Sequence, residues 1–255
     1  MHAPLRTRLL DLASRLTPAD LVPSGDRTVP RRLLRNPFAF ALMCCLDRGM
    51  KSSAAWSIVR ELERALGGLD PVELAAMPLP KLARVYAALP RRPRFLHDAP
   101  RTTRELARLV TSKFGGRARR IWEGRTAAEV HATFRSIHGV GSGLASMAVL
   151  SLERGFGVRF ADLDRPGMDI KADVHTIRVL FRLGVARSKT PAAAIEAARR
   201  ISPEFPGAID GALWVIGSRW CEAGEPRCGE CAVAEVCGTG VKSSTVRSSQ
   251  IGNRR

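Results

Sequence analysis

Ile137-His138-Gly139-Val140-Gly141-Ser142-Gly143-Leu144-Ala145 lies between two segments of helical character. Upstream, Thr126-Ala127-Ala128-Glu129 has the form of a capping box and opens a helix expected to end near Ile137. Downstream, the apolar run Leu144–Leu152 predicts a second helix. A tight Gly-Val-Gly turn between two helices presents backbone N–H groups at a helix N-terminus. With no side chains in the way, such groups can grip a phosphate. Taken alone, the stretch is equally well a plain helix–helix turn that happens to use glycine.

Two further motifs follow it along the chain. Asp173-Val174-His175-Thr176-Ile177-Arg178-Val179 begins 30 residues after Gly143. Then come Cys221, Cys228, Cys231 and Cys237, spaced C-x6-C-x2-C-x5-C, with Pro226 and Gly229 turning the chain between them. Four soft thiolates so closely spaced can converge on one metal centre. Disulfides fit poorly, because no secretory signal is recognised and the chain is too long to need staples. A zinc knot usually shows two paired hooks, whereas only Cys228 and Cys231 form one here. Spacing alone leaves iron–sulfur and zinc both open. Cys44 and Cys45, adjacent in an apolar run, read as small core residues.

The chain has 255 residues, enough to bury a real core in one large or two small domains. No apolar run approaches the ~20 residues of a membrane span. The net charge of +17 and pI near 11.1 point to a polyanion partner, nucleic acid before a membrane surface. The basic residues are spread over many segments and not gathered on one amphipathic helix, which argues against the membrane. Cysteine usage suits a reducing compartment, so a cytoplasmic, nucleoid-associated protein is expected.

The remaining pattern is helical. Leu5, Leu9, Leu12 and Leu16 recur at helical spacing. A Pro/Gly/Ser-rich stretch from Val22 to Pro30 and a basic run at Arg31, Arg32 and Arg35 follow. Asp70-Pro71 and Thr190-Pro191 each give an N-cap with proline at the first helical position. A short extended piece at Val158–Phe160 is the one hint of strand. The tail 239–255, rich in Ser, Gly, Lys and Arg, reads as disordered and able to touch phosphates nonspecifically.

The order of these motifs resembles the endonuclease III branch of the helix-hairpin-helix base-excision DNA glycosylases. The resemblance starts upstream at Asn36-Pro37-Phe38 and covers about residues 30–238. It implies an all-α, two-lobe fold: a helical barrel at 36–160 that includes the hairpin, and an iron–sulfur lobe from 1–35 plus 161–238. It implies double-stranded DNA with a damaged or modified base as partner, bound by a monomer that flips the base out of the stack. His138, Gly139, Val140, Gly141, Ser142 and Gly143 are then the DNA-binding residues. The four cysteines are ligands of a [4Fe-4S] cluster without a catalytic role.

Asp173 falls where the family keeps its catalytic aspartate. A carboxylate there stabilises the oxocarbenium-like sugar and orients or deprotonates water. The alternative role, N-cap of a Val174–Leu183 helix, is compatible with it. Gly143 occupies the position at which bifunctional members carry the lysine that attacks C1′. Aspartate without lysine implies a monofunctional glycosylase. The stretch Glu153 to Ala172 is about a dozen residues longer than is usual in the family. It carries Asp162, Asp164 and Asp169; Asp169 is a second candidate carboxylate. Lys171 is either a displaced amine nucleophile, giving a bifunctional glycosylase/lyase, or a loop lysine that is solvated or faces phosphate. A catalytically silent damaged-DNA-binding protein is the reading from another class.

His138 stands in place of the usual hairpin proline, and offers either surface hydrogen bonding or a phosphate contact. No base-wedging glutamine is recognisable between Cys45 and Lys51, where Arg48 and Met50 are the substitutes. Trp56 and Trp122 are candidate pocket walls, and Arg91, Arg92, Arg94, Arg101 and Arg104 a candidate phosphate track.

Overall fold

The computed structural model describes residues 3–17, 20, 35–50 and 52–239. The segment Val22 to Pro30, Arg31, Arg32, Lys51 and the tail from 240 lie outside them. Among the described residues every regular element is helical and there is no strand. Val158–Phe160 runs as irregular loop. No helix among the described residues is long and apolar enough to cross a membrane. The chain forms two bodies, one of residues 18–163 and one of 1–17 with 164–255.

In the body 18–163, α1 (Pro37–Leu46) starts where the Asn36 side chain accepts the Ala39 N–H at 3.1 Å, with Pro37 in the first turn. Every residue from Phe38 to Leu46 is buried, so this helix is apolar all round and forms the centre of the barrel. Cys44 and Cys45 belong to that core, and burial pushes the Cys45 thiol far above its ordinary range. Packed against it is α2 (Ser52–Leu66), followed along the chain by α3 (Pro71–Ala76), which Asp70 Oδ1 caps. Beyond them come α4 (Leu79–Ala88) and α5 (Ala99–Phe114). α5 ends at Gly115, whose φ of +59° is the left-handed turn that favours glycine. Tyr86 of α4 and Thr103 of α5 share a buried hydroxyl–hydroxyl bond of 2.6 Å.

The Thr126–Glu129 capping box opens α6 (Ala127–Arg135), and α7 (Ser142–Leu150) follows the hairpin. α7 continues through a π turn at Ser151–Gly155, so the apolar run ends as a widened turn and not as regular helix. The added segment then returns to this body. Phe160 and Leu163 are buried, and Asp162 accepts the Ala127 N–H at 2.9 Å and the Ala128 N–H at 3.4 Å. The bond from the Ala127 N–H, followed by that from Ala128, holds the Asp162 carboxyl below the ordinary carboxylate range.

The other body combines both ends of the chain. The N-terminal helix, α0 (Ala3–Arg15), buries Leu5 and Leu9, while Leu16 lies past its end. It packs with α8 (Val174–Arg182), α9 (Pro191–Ile201) and α10 (Asp210–Arg219) around Leu180, Ile201, Ile209, Leu213 and Ile216. Each such side chain, fully buried, contributes ~1.5–3 kcal/mol relative to exposure. Thr190 caps α9 through the Ala193 N–H, as its sequence predicts.

Candidate functional site

The hairpin owes its shape to what lies beneath it. Gly139 has φ +78°, and a Cβ there would collide with the Arg48 guanidinium. Arg48 donates to the Gly139 carbonyl at 3.1 Å and to Asp98 at 3.2 Å, and stacks over the Phe95 ring. The His138 ring meets the other Asp98 oxygen at 3.2 Å, while the His138 backbone N–H donates to Glu105 and the backbone carbonyl accepts from Thr102. The His138 bond, followed by Arg48, holds the Asp98 carboxyl below its ordinary range. His138 and Arg48 are therefore buttresses of the turn. Arg48 is engaged in this network, not extended as a wedge; Met50 is half-buried.

Gly141 begins α7 without any side-chain cap, so the first N–H groups of the helix face outward unclaimed by a cap. A Cβ on Gly141 or on Gly143 would meet no atom within 4 Å. Val140, buried, pins the turn to the core. Arg91, Arg92, Arg94 and Arg101 are exposed in the same body, and Arg104 is half-buried. Trp56 is buried in the core. Trp122 lines a cavity of about 370 Å³ with Phe40, Phe156, Arg119, Arg125 and Arg159, and its ring meets Phe40 edge-on at 5.6 Å.

In the other body each polar residue of the Asp173 motif has a distinct task. Asp173 caps α8, its Oδ1 accepting from the N–H groups of His175 at 2.9 Å and Thr176 at 3.1 Å. Thr176 completes the box by accepting the Asp173 N–H, and donates to the Lys171 carbonyl. Arg178 bonds the carbonyls of Cys221 at 2.6 Å and Gly217 at 2.8 Å, and donates to His175 Nδ1. His175 meets Trp214 edge-on, and a Cβ on Gly217 would lie 2.7 Å from the His175 Cβ. The motif thus welds α8 to α10.

The added segment's acids are accounted for separately. Asp162 caps α6, and Asp164 closes a turn on the Gly167 N–H. Asp169 makes a two-pronged ion pair with Arg199 at 2.8 and 2.7 Å. Asp173 alone of these acids begins the helix of its motif. Lys171 is half-buried, and its backbone N–H donates to Asp210 at 2.8 Å.

Cys221, Cys228, Cys231 and Cys237 line one cavity, walled also by Val179, Leu183, Ile216 and Val233. Among the described residues no three His, Cys, Asp or Glu side chains converge closely enough to share a single metal ion. A lone zinc ion needs all its sulfurs at ~2.3 Å. A ring of soft thiols around an apolar cavity suits a larger cluster that takes one thiolate per iron. Arg182 points a guanidinium N–H at the Cys221 sulfur at 3.5 Å and donates to the carbonyls of Glu222, Ala223 and Gly224. Burial, together with repulsion from the other three cysteines, pushes the Cys231 thiol up.

The sequence reading missed Asp98, Arg182 and Asp210. Asp98 and Arg182 are ordinary surface residues by pattern. Asp210, an acid between the apolar runs Pro206–Ile209 and Ala212–Gly217, did carry a signal.

No family model matches the chain. Endonuclease III of Thermotoga maritima is 27% identical over 134 residues, 52% of this chain and 53% of that protein. The chain thus spans about half the length of that curated relative. Among solved structures, a trapped endonuclease III–DNA covalent intermediate aligns over 82% of this chain and 87% of its own, with TM-score 0.58 and 21% identity. A thermostable thymine-DNA glycosylase aligns over 94% and 97%, with TM-score 0.58 and 16% identity. In fold, therefore, this chain is similar to the endonuclease III and thymine-DNA glycosylase structures.

Proposed function

We propose that this protein is a DNA glycosylase that releases a damaged or modified base from duplex DNA by hydrolysis and leaves the strand uncut. The observation that carries this reading is Asp173, a carboxylate fixed by its own helix cap, combined with Gly143 where a nucleophilic lysine would stand. The uncapped N–H groups at the start of α7 would take a phosphate of the DNA, and the exposed arginines its neighbours. Water would add to the sugar C1′ as the C1′–N bond breaks, the electron pair leaving on the base. Asp173 would stabilise the positive sugar and accept the proton of the water.

Cys221, Cys228, Cys231 and Cys237 would hold a [4Fe-4S] cluster. Such a cluster cross-links the C-terminal loop in place of a larger core. Arg178 and Arg182, bonded to the chain around Cys221, tie that loop to the helix that Asp173 begins.

A duplex panel carrying alkylated, oxidised, deaminated and modified bases, read after hot alkali, tests the reading. The wild type should open a strand only after alkali, and Asp173→Asn should lose ~100-fold or more in rate with DNA affinity kept. Borohydride trapping of a covalent adduct that disappears in Lys171→Ala would replace hydrolysis by the lyase mechanism. Tight binding without release from any duplex would favour a binding protein.

A further inference from the structure

Asp210 is the first residue of α10, and Asp173 is the cap of α8, the helix packed against it. Asp210 Oδ1 accepts the Lys171 N–H at 2.8 Å. The carbonyl of that same Lys171 accepts the Asp173 N–H at 2.8 Å and the Thr176 hydroxyl at 2.9 Å. A continuous run of hydrogen bonds therefore joins Asp210 to the turn that presents Asp173. The bonds that Asp173 accepts all fall on Oδ1 among the described residues.

We propose that Asp210 is a positioning residue for Asp173: it clamps the turn at Lys171, and the charge on its carboxyl sets the basicity of Asp173 during base release. The proposal rests on the glycosylase reading.

The surroundings support it. Loss of solvent around the Asp210 carboxyl, then the nearby Asp173 charge, push its pKa up from 3.8 to about 7, against the pull of the Lys171 N–H and amine. The other charged groups on the elements packed against α10 are engaged elsewhere. Arg178 is held by the Cys221 and Gly217 carbonyls and by His175, Arg6 by Glu204, and Arg8 by Glu235. Asp11 pairs with Arg15. Below neutrality Asp210 is uncharged. As the pH rises through 7, Asp210 ionises, which makes Asp173 a stronger base and adds negative charge beside the developing cation. The rate rises with pH.

Single-turnover base release between pH 5.5 and 8.5 tests this on any duplex that supports release. The wild type should show a limb rising about tenfold with a midpoint near 7. Asp210→Asn keeps the acceptor for the Lys171 N–H, and should flatten that limb while DNA affinity stays the same. The same limb in Asp210→Asn, or a uniform loss at every pH, overturns the proposal, because a purely structural role would give the latter. If no duplex yields base, the glycosylase reading fails, and carboxyl-carbon NMR of the free protein decides the pairing. The Asp210 midpoint should lie near neutrality and fall in Asp173→Asn; a midpoint in the ordinary carboxylate range, or one unmoved by Asp173→Asn, overturns it. That comparison also serves should Asp210→Asn fail to fold.

Discussion

At the scale of single residues, the proposed chemistry hangs on two positions, one present and one missing. Asp173 was legible as the cap of its helix, and it caps α8 in a box with Thr176 that the sequence reading did not foresee. Gly143 is legible only as an absence, and it offers a direct test. A side chain there would meet no neighbour, and lysine is a better helix former than glycine, so Gly143→Lys should fold at least as stably. The new amine should then give a borohydride-trapped adduct and cut strands without alkali. A well-folded Gly143→Lys that traps nothing would mean that the hairpin does not place this position at C1′. The Arg199 ion pair of Asp169 and the bond from the Lys171 backbone N–H to Asp210 were not legible in sequence, because both are made by residues far along the chain.

At the scale of elements, the capped helices were readable because caps are local: Asp70, Thr126 and Thr190 each bond N–H groups within three residues. What was not readable is how α8 and α10 meet, since the periodicity of either helix says nothing about its partner. Gly217 carries that contact. Adding one methyl there brings carbon within 2.7 Å of the His175 Cβ and within 3.0 Å of its backbone. Gly217→Ala should therefore cost ~1–3 kcal/mol in chemical denaturation. It should also loosen the bonds from Arg178 that fix the end of α10. An unchanged denaturation midpoint would show that the two helices can slide apart freely. The cysteine loop is the neighbouring element; it buries Val233 in the core, and Cys221, Cys231, Val236 and Cys237 pack against that core. Purified protein should show a broad band near ~400 nm and about four irons per chain. Cys228→Ser should lose both and unfold the loop first, whereas Cys44→Ser should keep the colour. Colourless wild type with one zinc would sink the cluster.

At the scale of the whole molecule, the excess of 17 positive charges acts over distances that no single contact spans. Exposed arginines share a body with the hairpin, whose N–H groups, uncapped by any side chain, are proposed to hold a phosphate without carrying charge. The affinity for duplex DNA should therefore have two separable parts. The arginines supply the part that salt removes: six or more phosphate contacts would weaken binding on the order of 10³-fold between 50 and 200 mM salt. The hairpin supplies a part that depends on close approach of the backbone. Gly141→Leu separates the two, because its Cβ points into open space and the fold has no reason to suffer. Thermal stability and salt slope should stay near the wild type, while affinity falls alike for damaged and undamaged duplexes. If Gly141→Leu binds as tightly as the wild type, no phosphate lies against this turn, and the arginines alone hold the DNA. If instead the wild type shows almost no salt dependence, the charge excess serves some other partner, and the whole nucleic-acid reading fails with it.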